Sequence, residues 1–291
     1  MLNLNHVRAF VAVIDCGTFQ NASRRLSCSQ PTVSQHIAKL EAALQTALVV
    51  RDRQRCQATP EGEIFMPFAL SLLRLAERAQ RTLETRSLTI GASSNIGTYL
   101  LRPHIRSFRG ALGPEIELEV WIGPNPQVLE KWSNNELDVA IMEWRNDRPG
   151  FTTTLWRHEA LVVIVPPDHP WMRQRSIDRE RLLDTPLIGG ESGSGTGRVL
   201  REMLGEGADR LRVSLQLGST EAVKHAVKAG LGVSIVLVNA VVDEVRAGSL
   251  RALTVEGMNL AKDIYISHRM QQAPSALAPR FTDHLLATQT V

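Results

Sequence analysis

The sequence predicts an α/β protein with a small, helical, basic N-terminal part, one long helix, and a larger part in which strands alternate with helices. Three observations predict it. Residues 26–44, "LSCSQPTVSQHIAKLEAAL", place an apolar stripe behind a short polar turn. Beyond residue 60, apolar residues step by three and four through a long helical stretch. From Leu88 onward, short β-branched runs recur with helix-like segments between them.

The first 44 residues read as three helices. Residues 7–14 and 21–26 form the first two, and residues 27–29 are a tight turn. Ser29 is a good N-cap for the third, and Pro31 sits in the first turn, where a missing N–H costs nothing. Val33, Ile37, Leu40 and Leu44 then share one buried face. Gln30, Thr32, Ser34, Gln35, His36 and Lys39 are left for the outside. Two helices joined by a tight turn, the second with a polar outer face, make a helix-turn-helix. Amide, hydroxyl and basic groups are the types that bond base edges and phosphates in a major groove. A solvated face in any small helical domain has the same pattern.

Charge separates the two readings. Residues 1–60 hold seven Lys and Arg against three acids, a net of +4, while the whole 291-residue chain carries only +3. Such a concentration is the footprint of nucleic-acid binding. In "ALVVRDRQRCQAT", residues 48–50 suit a strand and residues 56–59 its return, with Arg51, Arg53 and Arg55 on the connection. A basic wing of this kind would touch phosphates.

Thr59 caps the long helix, with Pro60 at its first position and Glu61 and Glu63 in the positive first turn. Phe65, Phe68, Leu72, Leu75, Ala79 and Thr82 form an a/d seam over residues 61–86, roughly 40 Å of helix. A second copy of the chain is the expected partner, which would present two recognition helices to two half-sites.

Strand-like runs follow at residues 88–93, 116–122, 137–142, 161–166, 212–217, 232–237 and 263–268. Helical stretches between most of them imply βαβ units and a largely parallel sheet. Ligands of such sheets bind beyond the carboxyl ends of strands. Three strand-to-helix joints, "GASSNIG", "GGESGSGTG" and "LGSTEAV", offer hydroxyls and free N–H groups to an anion. Plain N-capping explains any one of them; three together point to a convergent small-anion site.

Other classes fit poorly. Gly190 and Gly195 have P-loop spacing, but Thr196 stands where lysine is required. No G-x-G-x-x-G follows the first strand, and no His/Cys cluster has metal-ligand spacing, so neither cofactor nor metal is expected. His158, His169 and His225 are scattered, and no nucleophile has an adjacent base, so no enzyme is expected. The three cysteines, Cys16, Cys28 and Cys56, suit packing roles, with redox sensing by Cys28 a minor alternative. No apolar run nears the ~20 residues of a membrane span, and the N-terminus does not read as a signal peptide, so a cytoplasmic protein is expected.

The chain resembles the LysR-type transcriptional regulators. The residues that carry this are "FVAVIDCGTFQNASRRLSCSQPTVSQHIAKLEAAL", "VVRDRQRCQATPEGEIF", "LTIGASSNIGTYLLRP", "NNELDVAIM", "GESGSGTGRVL" and "GSTEAVKHAVKAGLGVSIV". Val49 and Val50 stand where the family usually has Leu-Phe, and Glu61 where it often has Ala. The resemblance implies a winged helix-turn-helix over 1–60, a dimerising linker helix over 61–86 and a periplasmic-binding-protein-like effector domain over 87–291. That domain would have lobe I at about 87–161 and 268–291 and lobe II at about 162–267. DNA would be held by Ser29, Gln30, Pro31, Thr32, Ser34, Gln35, His36, Lys39, Arg51, Arg53 and Arg55. An inducer, bound without a formal positive charge, would lie against Ser93, Ser94 and Asn95, then Ser194 and Thr196, then Ser219 and Thr220. Arg102 and Arg198 would form surface ion pairs. The wording is closest to the sulfur-assimilation and carbon-fixation branch, whose inducers tend to be small anions or phosphorylated and carboxylated metabolites. A homodimer or homotetramer, promoter DNA and RNA polymerase are the implied partners. The alternatives are an α/β binding or catalytic domain fused to a helical adaptor, and a DNA-binding regulator without a ligand.

Overall fold

A computed structural model describes residues 2–51, 55–84, 87–113, 116–191, 193–270 and 276–288. The chain divides into two compact units: Met1–Glu84 with Asn134–Glu136, and Thr85–Ser133 with Leu137–Val291.

In the first unit, α1 (Leu4–Cys16) starts where the Asn3 side chain accepts from the Asn5 N–H, and stops at Gly17, whose φ of +69° a side chain would resist. Thr18 caps α2 (Phe19–Arg25), and Ser29 caps α3 (Gln30–Leu44) by accepting from the Thr32 N–H at 3.2 Å. The antiparallel pair β1 (Val49–Arg51) and β2 (Cys56–Ala58) makes the wing. Then comes α4 (Pro60–Glu84), with the Thr59 hydroxyl accepting from the Gly62 N–H at 3.0 Å. Val7, Phe10 and Val13 of α1 pack with Val33, Ile37 and Leu40 of α3, as the helical period requires.

Helix α4 departs from expectation. It is not a separate linker with one seam, because Ala69 and Leu73 are buried in the same core as α1–α3. Gly62 lies so close to the wing that an added Cβ would sit 2.2 Å from the Leu48 carbonyl oxygen. Of the predicted seam, Phe65 packs against that core, its ring centroid 5.7 Å from that of Phe10, while Phe68 is 63% exposed and Leu75 39%. Thr82's side chain is outside the described residues.

In the second unit, β3 (Ser87–Ser93) runs parallel to β4 (Glu117–Gly123) and β5 (Val139–Met142). Helices α5 (Ser94–Tyr99), α6 (Leu101–Leu112) and α7 (Asn125–Ser133) connect them. The sheet is less parallel than predicted. Strand β6 (Phe151–Val165) is fifteen residues long and antiparallel to its neighbours. Its first half, "FTTTLWRHEA", has neither an apolar run nor strict alternation, so only its second half read as a strand. Beyond it lie β7 (Ser176–Ile177), α8 (Arg179–Asp184) and β8 (Leu187–Gly189). Next are α9 (Gly195–Leu204), β9 (Val213–Gln216), α10 (Thr220–Lys228) and β10 (Ser234–Leu237). The unit ends with α11 (Val242–Arg246), β11 (Arg251–Val255), β12 (Ala261–Arg269) and α12 (Leu277–Ala287).

Beside a small cluster at Val128, Trp132 and Met142, two larger hydrophobic cores mark two lobes. One holds Leu88, Ile90, Phe108, Trp156, Ile264 and Phe281; the other holds Val163, Leu182, Ile188, Leu200, Val227 and Leu253. Strand β6 passes from the first core to the second between Trp156 and Leu161. The return falls at Leu260–Ala261, because all of β12 pairs with β5 and the first half of β6. Residues 262–267, expected in lobe II, therefore belong to lobe I.

Candidate DNA face and effector cleft

On α3, Gln30, Pro31, Gln35 and Lys39 are exposed, and Thr32, Ser34 and His36 partly so, while Val33, Ile37 and Leu40 are buried. The outer face is the predicted one, with two refinements. Ser29 and Thr32 share a hydroxyl–hydroxyl bond of 2.8 Å while Ser29 caps the helix, so Ser29 has a structural duty. The His36 ring lies 5.0 Å, centroid to centroid, from that of His6 on α1, a residue the sequence did not single out. Burial, then repulsion from His36 and Lys39, holds the His6 imidazole below its ordinary pKa, so it is neutral at pH 7. In the wing, Arg55 is exposed; Arg53 and the Arg51 side chain lie outside the described residues.

The second unit has a cleft of about 270 Å³ in lobe II, lined by residues between 187 and 236 and closed on one side by Asn95 of lobe I. Asn95 on α5 comes from lobe I; Ser194 before α9, Thr196 in its first turn, and Thr220 at the start of α10 come from lobe II. The first and third predicted loops meet directly, Thr220 Oγ1 donating to Asn95 Oδ1 at 2.7 Å. The other three predicted residues are not in the lining. Ser93 is 1% exposed, and its hydroxyl has no hydrogen-bond partner among the described residues. Ser94 uses its carbonyl to accept from Thr98, and Ser219 spends its hydroxyl capping α10 at the Ala222 N–H. A serine at a helix start can cap or face the cleft, and these do not face it.

Two charged residues the sequence reading did not single out, Glu191 and Arg201, line the cleft, and a buried ion pair lies behind its wall at Thr196. Glu143 follows β5 directly, and Lys262 is the second residue of β12. Their side chains are 2% and 0% exposed and pair at 2.8 Å. Lys262 also donates to Thr196 Oγ1 at 3.1 Å. The other Glu143 oxygen accepts the Gly195 N–H at 2.6 Å and Asn125 Nδ2 at 3.4 Å, and Asn125 Oδ1 in turn accepts the Glu143 N–H. Arg201 in the lining overturns the expectation of a site without formal positive charge, and Lys262 adds an ammonium behind the wall with its counter-ion. Glu143 and Lys262 stand near the ends of strands, where α/β sheets place ligands.

A second bridge crosses the lobes at Tyr99, whose hydroxyl donates to Glu221 at 2.7 Å, with the Lys224 ammonium 5.3 Å from the ring centroid. Burial and the Glu221 bond push the Tyr99 phenol well up. Burial also pushes Glu221 up, but hydrogen bonds from Lys224 and Tyr99 outweigh it and hold the carboxyl below its usual value. Lys224 is bonded to Glu221, Glu244 and the Ala240 carbonyl, so it is a structural cation. Arg198 forms the expected surface pair, with Glu202. Among the described residues no group of acids, histidines and cysteines could hold a metal, and no helix is long and apolar enough to cross a membrane.

A winged helix-turn-helix joined to a two-lobed domain with a polar cleft defines a ligand-responsive DNA-binding regulator. Residues 4–63 match the bacterial regulatory helix-turn-helix protein of the lysR family, and residues 81–290 match the LysR substrate binding domain. The chain belongs to the LysR family of transcriptional regulators. It is 45% identical over 196 residues to the putative HTH-type transcriptional regulator protein PtxE of Stutzerimonas stutzeri, covering 67% of this chain and all of that one. Full-length CbnR in complex with its target DNA shares the fold, with a TM-score of 0.71 at 19% identity over 98% of this chain and 99% of that one. The regulatory domain of Synechocystis PCC6803 CcmR, solved in complex with 2-PG, has a TM-score of 0.63 at 25% identity, covering 70% of this chain and 97% of that domain.

Proposed function

We propose that this regulator reads promoter DNA in the cytoplasm with the outer face of α3 and the wing arginines. In this reading it does so as a dimer or tetramer, catalyses no reaction, and acts on RNA polymerase. A small anionic or carboxylated metabolite, bound between the lobes by Asn95, Thr196 and Thr220, sets its state. The observation that carries the cleft reading is the Asn95–Thr220 bond, which joins polar groups of both lobes at the rim of one cavity. The 2-PG bound by the CcmR regulatory domain supports it, since a similar domain there takes a small ligand. Dimerisation is supported by the open apolar face of α4, where Ile64 and Phe68 are 68% and 63% exposed.

Thermal unfolding of the full chain against a panel of small phosphates and carboxylates, 2-PG included, tests the cleft. A ligand at a hundred times its Kd stabilises by about 2.7 kcal/mol, or roughly 5–10 °C for a domain of this size. Asn95→Ala and Thr220→Val should remove that shift. A shift left intact in both variants would place the ligand elsewhere.

A further inference from the structure

Behind the cleft wall at Thr196, Glu143 holds the ammonium and the helix N–H that an anionic group would seek. Its carboxylate sits at the start of α9, accepting the first helical N–H, and it neutralises Lys262, the ammonium closest to Thr196. The fit is close. Gly195 has no side chain, and a Cβ there would lie 2.6 Å from Glu143 Oε2 and 2.9 Å from Glu143 Cβ, so the approach depends on that glycine. Ser194, at the N-cap, makes no side-chain capping bond, so the α9 amide is served by a carboxylate from the other lobe instead. Positive charge and a free helix start are what anions bind. Here both are satisfied from within the chain.

We propose that Glu143 is a tethered competitor: an anionic effector enters by displacing its carboxylate from Lys262 and the Gly195 N–H. This rests on the reading that this cleft is the effector site. Displacement has a defined structural effect. Glu143 belongs to lobe I and Gly195 to lobe II, so losing their bond removes one of the polar ties between the lobes. The Asn95–Thr220 and Tyr99–Glu221 ties remain. An effector would thus exchange an internal tie for its own bonds to Lys262 and Thr196. Selectivity follows as well. A neutral ligand offers Lys262 no counter-charge and leaves Glu143 in place, whereas an oxyanion supplies both charge and acceptors.

A resident competitor lowers apparent affinity by the fraction of time it is away. A carboxylate in place nine-tenths of the time or more therefore costs about tenfold, and its removal should return that factor. The full-length chain and its Glu143→Gln variant should be titrated with inorganic phosphate by calorimetry. Gln keeps the size and an acceptor for the Gly195 N–H but leaves Lys262 uncompensated. Phosphate should bind the variant at least about tenfold more tightly, and Lys262→Met added to it should abolish the gain. Equal or weaker binding by Glu143→Gln overturns the proposal. A second measurement does not need the effector. Glu143→Ala empties the carboxylate's place, so its lowered Tm should recover in formate but not in chloride of equal ionic strength, while wild type responds to neither. No recovery specific to formate also overturns the proposal. If formate rescue fails while Asn95→Ala still loses its ligand shift, the cleft stands and only the competitor falls. If formate rescues but Asn95→Ala and Thr220→Val keep their shifts, the cleft assignment is what fails.

Discussion

Replacing Lys262 by Met keeps the length of the side chain and deletes only its ammonium. In the wild type that ammonium is fully buried, 2.8 Å from Glu143 Oε1 and 3.1 Å from Thr196 Oγ1. The variant leaves a buried carboxylate whose remaining donors are the Gly195 N–H and, at a longer 3.4 Å, Asn125. Removing one partner of a buried ion pair costs about 3–5 kcal/mol, because the other charge is stranded. Two surviving donors place this case toward the lower end, about 3–4 kcal/mol. At roughly 2–4 °C per kcal/mol for a domain of this size, the effector-domain transition should fall by about 6–16 °C. Scanning calorimetry on the full chain separates that transition from that of the DNA-binding unit. The double variant Lys262→Met/Glu143→Gln carries no buried charge and keeps an acceptor for Gly195, so it should recover at least half the loss. A single variant within about 1 kcal/mol of wild type, or a double variant no better than the single, would refute the reasoning.

Four further outcomes are expected. Gln35→Ala should cost roughly 1–3 kcal/mol on the specific site only, while Lys39→Ala should weaken all DNA and flatten the salt slope by about 0.9, both read by fluorescence anisotropy. Phe68→Asp should turn the assembly monomeric in sedimentation, because a charge would enter the open face of α4; an unchanged oligomer rejects that face. Gly62→Ala gains about 1 kcal/mol of helix propensity but must relieve a 2.2 Å approach to the Leu48 carbonyl at about 1–3 kcal/mol, so a net loss of stability is expected and a higher Tm would contradict it. Finally, His6 is held below 6.5 in the folded chain, so the unfolded chain binds more protons below about pH 6.5. Its neutral form is fully compatible with folding above that pH, and stability falls as pH drops through it. His6→Gln should make the DNA-binding unit less sensitive between pH 7 and 5, and an unaltered pH profile would count against the assigned shift.

The N-terminal half of this reading was visible in the sequence because its determinants are local. Ser29 caps three residues away, and Val33, Ile37 and Leu40 declare a face by period alone. Helix α4 was half legible. An apolar seam can be read from spacing, but Ala69 and Leu73 look the same whether they face a second copy or their own core, and Gly62 gives no hint of the wing beside it. Asn95, Ser194, Thr196 and Thr220 line the cavity, and their place at strand-to-helix joints is what marks them in the sequence. Ser93 and Ser219 are not in the lining: Ser219 spends its hydroxyl on capping, and Ser93 is buried. Glu143 and Lys262 are 119 residues apart, and each alone looks like an ordinary surface charge at a strand end. The antiparallel pairing of β5 with β12 brings them together, and topology of that range leaves no mark in local pattern.

The cleft also limits how an effector could switch the protein. Polar groups in and beside it are already bonded across the lobes: Asn95 to Thr220 in the lining, Glu143 to Gly195 and Tyr99 to Glu221 outside it. A ligand that filled the cavity and left these bonds in place would meet the same groups before and after, and equal affinity for two states shifts neither. A ligand that replaces one of them changes the balance by the difference between the bond lost and the bond gained. Net hydrogen bonds are worth about 0.5–1.5 kcal/mol, and those to charged groups about 1.5–3. Allosteric couplings span about 1–3 kcal/mol, so exchanging a single tie at Lys262 is of the right size. Response should therefore track how many acceptors a ligand presents to Lys262 and Thr196, and at what charge, more than how much of the cavity it fills.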